Sequence, residues 1–171
     1  MLFRVSPASR HFLADVLSEK YFLVHPSYVY GAYADTFPRP ITKESLGTNK
    51  LISSLMKGPI PQNPPFMVDV RDVAKAHVLA MDLPRNPGAL ERRYIVNGGN
   101  LTWREAIEHL RISHPELKTP PADEYPEIAG PASIVDTSNT ISDLKFGKFR
   151  ELKQIIDDAV TALQEIEKTW V

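Results

Sequence analysis

The 171-residue chain is predicted to have an α/β fold, because short apolar strands alternate with amphipathic helices along its length. Three runs rich in β-branched and aromatic residues indicate strands at 21–24, 66–68 and 93–96. The second and third runs are each followed closely by a segment with helical spacing of apolar residues. One domain is expected over residues 1–171, since a chain of this length buries a single core of ordinary size.

The first half begins with a helix predicted over 7–18, followed by a buried strand over 21–24 that ends at a proline. A loop is expected over 31–40, which contains a glycine and two prolines. The helix predicted over 44–57 is followed by glycine and then proline, the usual order at a helix C-terminus. Residues 59–65 hold several prolines and are expected to be irregular, because proline lacks an amide donor.

The strand over 66–68 leads directly into a helix that is expected to end before Pro84. Apolar positions along this helix follow the i, i+3, i+4 rule, which predicts that one stripe faces the core. The stripe consists of Val70, Val73, Ala74, His77, Val78 and Met81. Asp69 precedes the helix as a predicted N-cap, and Asp72 lies in the first turn, where a negative charge favours the helix dipole.

The last third repeats the strand-then-helix order. A turn over 97–100 follows the strand over 93–96, and Thr102 with Glu105 forms a capping box that opens a helix reaching about Ile112. Residues 115–131, rich in proline and acid, are expected to be an extended surface connection. The final helix, over 151–168, places one apolar stripe toward the core.

Composition excludes several functional classes. The net charge is -1, from 20 basic and 21 acidic residues, so nothing indicates nucleic acid or an anionic membrane as partner. The chain has no cysteine, which removes disulfides and thiolate metal sites. No apolar run approaches the ~20 residues of a membrane span, and a cytoplasmic protein is expected.

Two phrases carry a family resemblance. Residues 25–31 read His-Pro-Ser-Tyr-Val-Tyr-Gly, and residues 66–81 read Phe-Met-Val-Asp-Val-Arg-Asp-Val-Ala-Lys-Ala-His-Val-Leu-Ala-Met. In that order they resemble the C-terminal half of the extended short-chain dehydrogenases/reductases, in the branch of dihydroflavonol reductases and fungal methylglyoxal-type carbonyl reductases. The resemblance implies a truncated Rossmann-like fold, made of the C-terminal sheet strands plus the substrate-binding helices.

The nucleotide-binding motifs of that family are missing from this sequence. It holds neither Gly-x-x-Gly-x-x-Gly nor Gly-x-Gly-x-x-Gly, and no tyrosine is followed four residues later by lysine. Such glycines let backbone amides approach the pyrophosphate, and the family's tyrosine protonates the developing alkoxide. The parent family uses NADP, but this chain is expected to bind no cofactor tightly on its own.

The resemblance also implies where a substrate would bind. A pocket for a small hydrophobic metabolite is expected to be lined by Ser27, Tyr28, Tyr30, Tyr33, Asn49 and Ile52. Pro26, Ser27 and Val29 resemble the loop beside the nicotinamide and are expected to be a vestigial cofactor contact. Simpler interpretations stay open: Ser27 as an ordinary loop hydroxyl, and the tyrosines, with Phe37, as a cover for the sheet edge. No catalytic residue is assigned.

The histidines give no metal prediction. His77 lies on the apolar helical stripe and is interpreted as a hydrogen-bonded core residue. His109 and His114 are five residues apart across a helix end, a spacing unsuited to a zinc pair.

Three functions follow from these observations. The chain is a truncated relative of NADP-dependent carbonyl reductases, or a repurposed isomerase, cyclase or dehydratase of secondary metabolism that needs no cofactor, or a non-catalytic partner subunit or inactive fragment. Because the family's neighbouring strands are missing, the strand over 21–24 would have a free edge. A homodimer or a partner chain is expected to cover it.

Overall fold

A computed structural model describes residues 22–34, 40–58, 61–64, 66–83, 92–121 and 133–170. The helix predicted over 7–18 and Phe37 lie outside the described residues, as do parts of the stretches 59–65 and 115–131. Among the described residues no helix is both long and apolar enough to span a membrane. The predicted α/β class is confirmed, with strands and helices in alternation.

The described elements are, in chain order, β1 (Phe22–Pro26), β2 (Val29–Tyr30), α1 (Asn49–Lys57), β3 (Phe66–Asp69), α2 (Val70–Met81), β4 (Arg92–Val96), β5 (Gly99–Asn100), α3 (Trp103–Ser113), α4 (Ser138–Asp143) and α5 (Leu152–Glu167). Strand β1 pairs in parallel with β4, with Val24 opposite Tyr94. Strand β2 pairs in parallel with β3, and β3 pairs antiparallel with β5. A backbone bond from Val68 N to Tyr28 O, of 3.0 Å, extends the β2–β3 pairing by one residue.

The capping predictions agree with the structure. Asp69 is the N-cap of α2, and its carboxylate accepts a hydrogen bond from the Arg71 amide. Thr102 and Glu105 form the predicted capping box at the start of α3. Helix α2 ends at Met81, before Pro84. Local sequence therefore determined where these two helices begin.

Two elements were given wrong bounds, and one short helix was missed. The helix expected from 44 begins only at Asn49, because a turn between Thr42 and Ser45 and a left-handed Gly47, with φ of +59°, precede it. The turn expected over 97–100 is half strand, since Gly99–Asn100 pairs with β3. Short helix α4 was not predicted, because its six residues carry no apolar periodicity.

The apolar side chains form two clusters. The larger one joins α1, α3 and α5 and includes Ile52, Leu55, Met56, Ile107, Leu110, Ile155, Ile156 and Leu163. The smaller one lies between α2 and the β1–β4 pair and includes Val68, Ala76, Ala80, Tyr94, Val96 and Phe146. The predicted stripe of the final helix is confirmed, since its central residues are buried.

The stripe predicted for α2 faces the wrong way. Val78 is 55% exposed and Met81 is 72% exposed, whereas the buried residues of this helix are Asp72, Ala76 and Ala80. The small Ala76 and Ala80 make the closest contact with the smaller cluster, against which Val73 and Leu79 also pack, whereas Val78 and Met81 face outward. His77 is exposed, not a core residue, and its Nδ1 lies 2.8 Å from the Val73 carbonyl oxygen.

Strand β1 is only half buried, contrary to the prediction. Phe22 and Val24 pack in the smaller cluster, but Leu23 on the opposite face is 42% exposed. Ile95 of β4 is 39% exposed. Within the described part of the chain, β4 is the single strand that pairs with β1. Leu23 and Ile95 are therefore partly exposed on the same face of this strand pair, and the described residues place no further strand beside β1.

Candidate functional site

An open pocket of about 470 Å³ lies on the exposed face of the β1–β4 pair and reaches the carboxyl end of β1. It is lined by His25, Pro26, Ser27, Phe66, Arg93, Ile95 and Val135. In open parallel sheets ligands bind in the crevice outside the carboxyl ends of the strands. The Pro26–Ser27 side of the pocket therefore lies where a ligand is expected in a sheet of this type.

Ser27 has a partner for its backbone but none for its side chain. Its amide donates to the Val96 carbonyl oxygen at 3.0 Å, which fixes the loop that follows β1. Its Oγ is buried and has no hydrogen-bond partner among the described residues. A buried hydroxyl without a partner costs about 1–3 kcal/mol, so a ligand that bonds to it relieves a penalty.

Asn97 follows β4 directly and was not identified from the sequence. The residue is buried, and its Oδ1 has no hydrogen-bond partner within the described residues. Because β1 and β4 run in parallel, Ser27 and Asn97 follow neighbouring strand ends. Its position immediately after a strand could have marked this polar residue as a candidate. It was not considered because residues 97–100 were predicted to form a turn.

Two of the predicted substrate residues belong to the core. Tyr30 and Ile52 are buried in the larger apolar cluster, and Tyr28 packs against it. The Tyr30 hydroxyl has no hydrogen-bond partner among the described residues. Burial, followed by the nearby Tyr28, raises the pKa of Tyr30 well above its usual range. The Tyr28 hydroxyl accepts a hydrogen bond from Asn63 Nδ2 at 3.3 Å. Both tyrosine rings therefore contribute to the packing of the larger apolar cluster.

Asn49 and Tyr33 hold the loop that follows β2. Asn49 Nδ2 donates to the Gly31 carbonyl oxygen at 2.8 Å, and its Oδ1 accepts from the Gly31 amide at 3.3 Å. Gly31 has φ of +128°, and a Cβ there would lie 3.0 Å from Val70 Cγ1. Tyr33 donates to the Leu46 carbonyl oxygen at 2.8 Å, and burial, opposed by Asn49, raises its pKa. The pair therefore shapes this loop.

Of the predicted cofactor contacts, Pro26 and Ser27 line the pocket. Val29 packs instead in the smaller apolar cluster, where its carbonyl oxygen accepts a hydrogen bond from the Thr48 hydroxyl. The structure thus brings two of the three predicted cofactor contacts, but none of the predicted tyrosines, to the pocket wall.

Two buried carboxylates connect α2 to its surroundings. Asp69 accepts from Arg71 Nε at 2.8 Å and from Arg71 Nη2 at 2.7 Å, and Arg71 also pairs with Asp158 of α5. Burial raises the pKa of Asp69, but the Arg71 guanidinium and amide outweigh it, so the pKa lies below its usual range. Asp72 accepts from the Arg150 amide at 2.9 Å. These contacts are structural.

His109 and His114 converge on one carboxylate, which their spacing did not predict. Their Nε2 atoms lie 2.8 Å and 3.4 Å from Asp157 Oδ1, and the Ser113 hydroxyl donates to the same oxygen at 2.9 Å. The same His109 nitrogen faces Ser113 and Asp157, whereas a nucleophile relay needs two different ring nitrogens. Among the described residues no group of three or more His, Cys, Asp or Glu is placed to hold a metal. The cluster links α3 to α5.

No protein-family profile matches the chain. The ketoreductase azaE of Aspergillus niger is 34% identical over 153 residues, which cover 83% of this chain and 43% of that protein. Tetraketide alpha-pyrone reductase 2 of Arabidopsis thaliana is 30% identical over 146 residues, covering 84% of this chain and 42% of that protein. The fold superposes on yeast methylglyoxal/isovaleraldehyde reductase Gre2 complexed with NADPH with a TM-score of 0.68 at 27% identity, covering 95% of this chain and 49% of that one.

Over more than four fifths of its length the chain is similar to reductases of the extended short-chain dehydrogenase/reductase type. The family resemblance read from residues 25–31 and 66–81 is thereby confirmed, as is the Rossmann-like fold. The chain spans less than half the length of the curated relatives it matches. Its homologues include NADPH-dependent reductases.

Proposed function

We propose that this chain supplies the substrate-binding half of an NADPH-dependent carbonyl reductase that acts on a small hydrophobic carbonyl compound. The observation that supports this most is the pocket on the β1–β4 pair, whose lining includes Ser27, a residue with a buried hydroxyl that has no partner among the described residues. Phe66, Ile95 and Val135 give the pocket apolar walls suited to a hydrophobic substrate.

The residues present fit one end of NADPH. The Pro26–Ser27 loop offers a hydroxyl donor at the position where the family's loop meets the nicotinamide. NADPH, when bound, supplies the hydride. The sequence has no glycine-rich turn for the pyrophosphate and no Tyr-x-x-x-Lys pair to protonate the alkoxide. The chain by itself therefore binds NADPH weakly, and both groups come from a nucleotide-binding half, in the same polypeptide or in another chain.

The accessible surface around β1 is where such a half docks in this proposal. Leu23 and Ile95 are exposed on one face of the strand pair, and the described residues place no strand beyond β1. An unpaired strand edge offers amides and carbonyl oxygens to a further strand. A second copy of the chain is the alternative occupant of this edge.

In this arrangement the chain's own residues position the substrate. The apolar walls hold its body and exclude water, while the Ser27 hydroxyl donates a hydrogen bond to a carbonyl or carboxamide oxygen placed beside it. Asn49 keeps the Gly31 loop in its left-handed conformation through two hydrogen bonds. The proton for the product alkoxide has no donor assigned in this chain.

A fusion tests the proposal. The nucleotide-binding half of yeast Gre2 is joined to the N-terminus of this chain, and NADPH oxidation is followed by absorbance with methylglyoxal and isovaleraldehyde. The fusion is expected to oxidise NADPH, whereas the unfused chain is not. Ser27→Ala in the fusion should lower kcat/KM about tenfold, and Ser142→Ala, an exposed serine outside the pocket, should leave it unchanged. A folded fusion that binds NADPH but turns over neither carbonyl contradicts the proposal.

A further inference from the structure

A second groove, of about 540 Å³, lies on the outer face of α1 and shares no lining residue with the pocket on the β1–β4 pair. Its lining consists of Lys43, Leu46, Lys50, Ser53, Ser54, Lys57, Gly58, Glu167 and Trp170. Its volume is within the range of small-molecule sites. The reductase function proposed above does not use it.

Helix α1 determines which side chains reach the groove. Lys50 and Lys57 are seven residues apart, so they lie on the same helical face, with Ser53 and Ser54 between them. The opposite face of this helix is buried in the core. No hydrogen bond within the described residues occupies the hydroxyls of the two serines. The groove therefore presents donors that are free to bond a ligand.

Positive charge dominates the groove although the whole chain carries -1. Among the described residues of its lining, Glu167 is the single carboxylate, and it pairs with Lys57. Lys50 has no carboxylate partner among the described residues. Lys43 lies 5.7 Å from the centre of the Trp170 ring, with Glu44 as its exposed neighbour in sequence. Two ammonium groups thus remain for an anion.

Trp170 gives the groove a flat aromatic wall that is held in place. Its indole N–H donates to the Ile41 carbonyl oxygen at 2.8 Å, and the half-buried ring packs against the larger apolar cluster. Because the only polar atom of the indole is already bonded, the ring offers an apolar and π surface to whatever enters the groove.

We propose that this groove binds a small organic anion that has an aromatic or apolar body. Lys43 and Lys50 hold its phosphate or carboxylate through charge-assisted hydrogen bonds, and the Ser53 and Ser54 hydroxyls add neutral ones. The body of the ligand lies against the Trp170 ring. Glu167 opposes a second negative charge at the Lys57 end, so the site favours a ligand with one anionic group.

Binding is measured by calorimetry and by tryptophan fluorescence on the full chain at low ionic strength. The probes are phenyl phosphate and benzoate, with phenol as the neutral match and inorganic phosphate as the anion without a body. Saturable binding is expected for phenyl phosphate or benzoate, at least tenfold tighter than for phenol or for inorganic phosphate. Lys50→Gln should weaken it at least fivefold, and Lys153→Gln, an exposed lysine of α5 outside the groove, should not.

Trp170→Phe locates the probe. The variant keeps an aromatic wall, so calorimetric binding should remain within about threefold, while the fluorescence change should disappear because Trp103 is buried elsewhere. Phenol binding as tightly as phenyl phosphate, equal losses in the Lys50 and Lys153 variants, or a fluorescence change that persists without Trp170 would each overturn the proposal.

Discussion

Asp69 allows the most direct test of how the structure is held together. The carboxylate is fully buried, caps α2 and bonds to two nitrogens of the Arg71 guanidinium. In Asp69→Asn the cap is retained, because asparagine caps helices as well as aspartate does. Only the ion pair with Arg71 is lost, so the variant separates the contribution of the ion pair from that of the helix cap.

The magnitude follows from the exposure of the pair. Removing one partner of a fully buried ion pair costs about 3–5 kcal/mol. The Arg71 side chain is 47% exposed and retains Asp158 as a partner, so water and the second carboxylate compensate for part of the loss. We expect Asp69→Asn to lower the free energy of unfolding by about 2 kcal/mol, which corresponds to ~4–8 °C in Tm for a chain of this size.

Urea unfolding followed by circular dichroism measures this difference, with Asp136→Asn, an exposed carboxylate, as the control. The pKa of Asp69 is depressed in the folded state, so its contribution is fully present above the ordinary carboxyl pKa of about 4 and is lost as pH falls through the lower folded value. The gap between wild type and Asp69→Asn should thus be constant from pH 5 to 7 and shrink below about pH 4. A gap under 0.5 kcal/mol at neutral pH, or one unchanged at about pH 3, would refute the reasoning.

Three further outcomes are expected. Gly31→Ala should cost about 2–3 kcal/mol in urea unfolding, because its φ of +128° excludes a Cβ, whereas Gly47→Ala, with open space around it, should cost about half as much. Asn49→Ala should lower the free energy of unfolding by about 2 kcal/mol, since its two hydrogen bonds to Gly31 are lost, and should weaken substrate binding at the same time. Tyr30→Phe should leave Tm within about 3 °C, because the hydroxyl it removes is buried without a partner. A larger loss for Gly47→Ala than for Gly31→Ala, an unchanged stability for Asn49→Ala, or a large drop in Tm for Tyr30→Phe would contradict the contacts described.

The sequence predicted most of what depends on near neighbours along the chain. The N-cap at Asp69 and the capping box at Thr102 are local features, and both were correct. The strands over 66–68 and 93–96 were recognised because β-branched and aromatic residues cluster there. Their observed bounds differ from the predicted ones by one residue.

The features that the sequence could not predict depend on contacts between elements that are distant along the chain. Periodicity showed that α2 has an apolar stripe, but the helix packs on the sheet through Ala76 and Ala80, so most of that stripe, Val73 excepted, faces solvent. The convergence of His109 and His114 on Asp157 requires α3 and α5 to be neighbours, which no sequence spacing reveals. The placement of Asn49 against Gly31, rather than facing an open pocket, is likewise a tertiary contact.

In the proposed function this chain contributes the substrate side of a reductase and leaves the nucleotide to another part. Calorimetric titration of the unfused 171-residue chain with NADPH tests it most directly, with full-length yeast Gre2 as the positive control. We expect tight binding to Gre2 and no measurable saturation of this chain at up to about 1 mM NADPH, which corresponds to a binding free energy weaker than ~4 kcal/mol. A dissociation constant in the low micromolar range for the chain alone would contradict it.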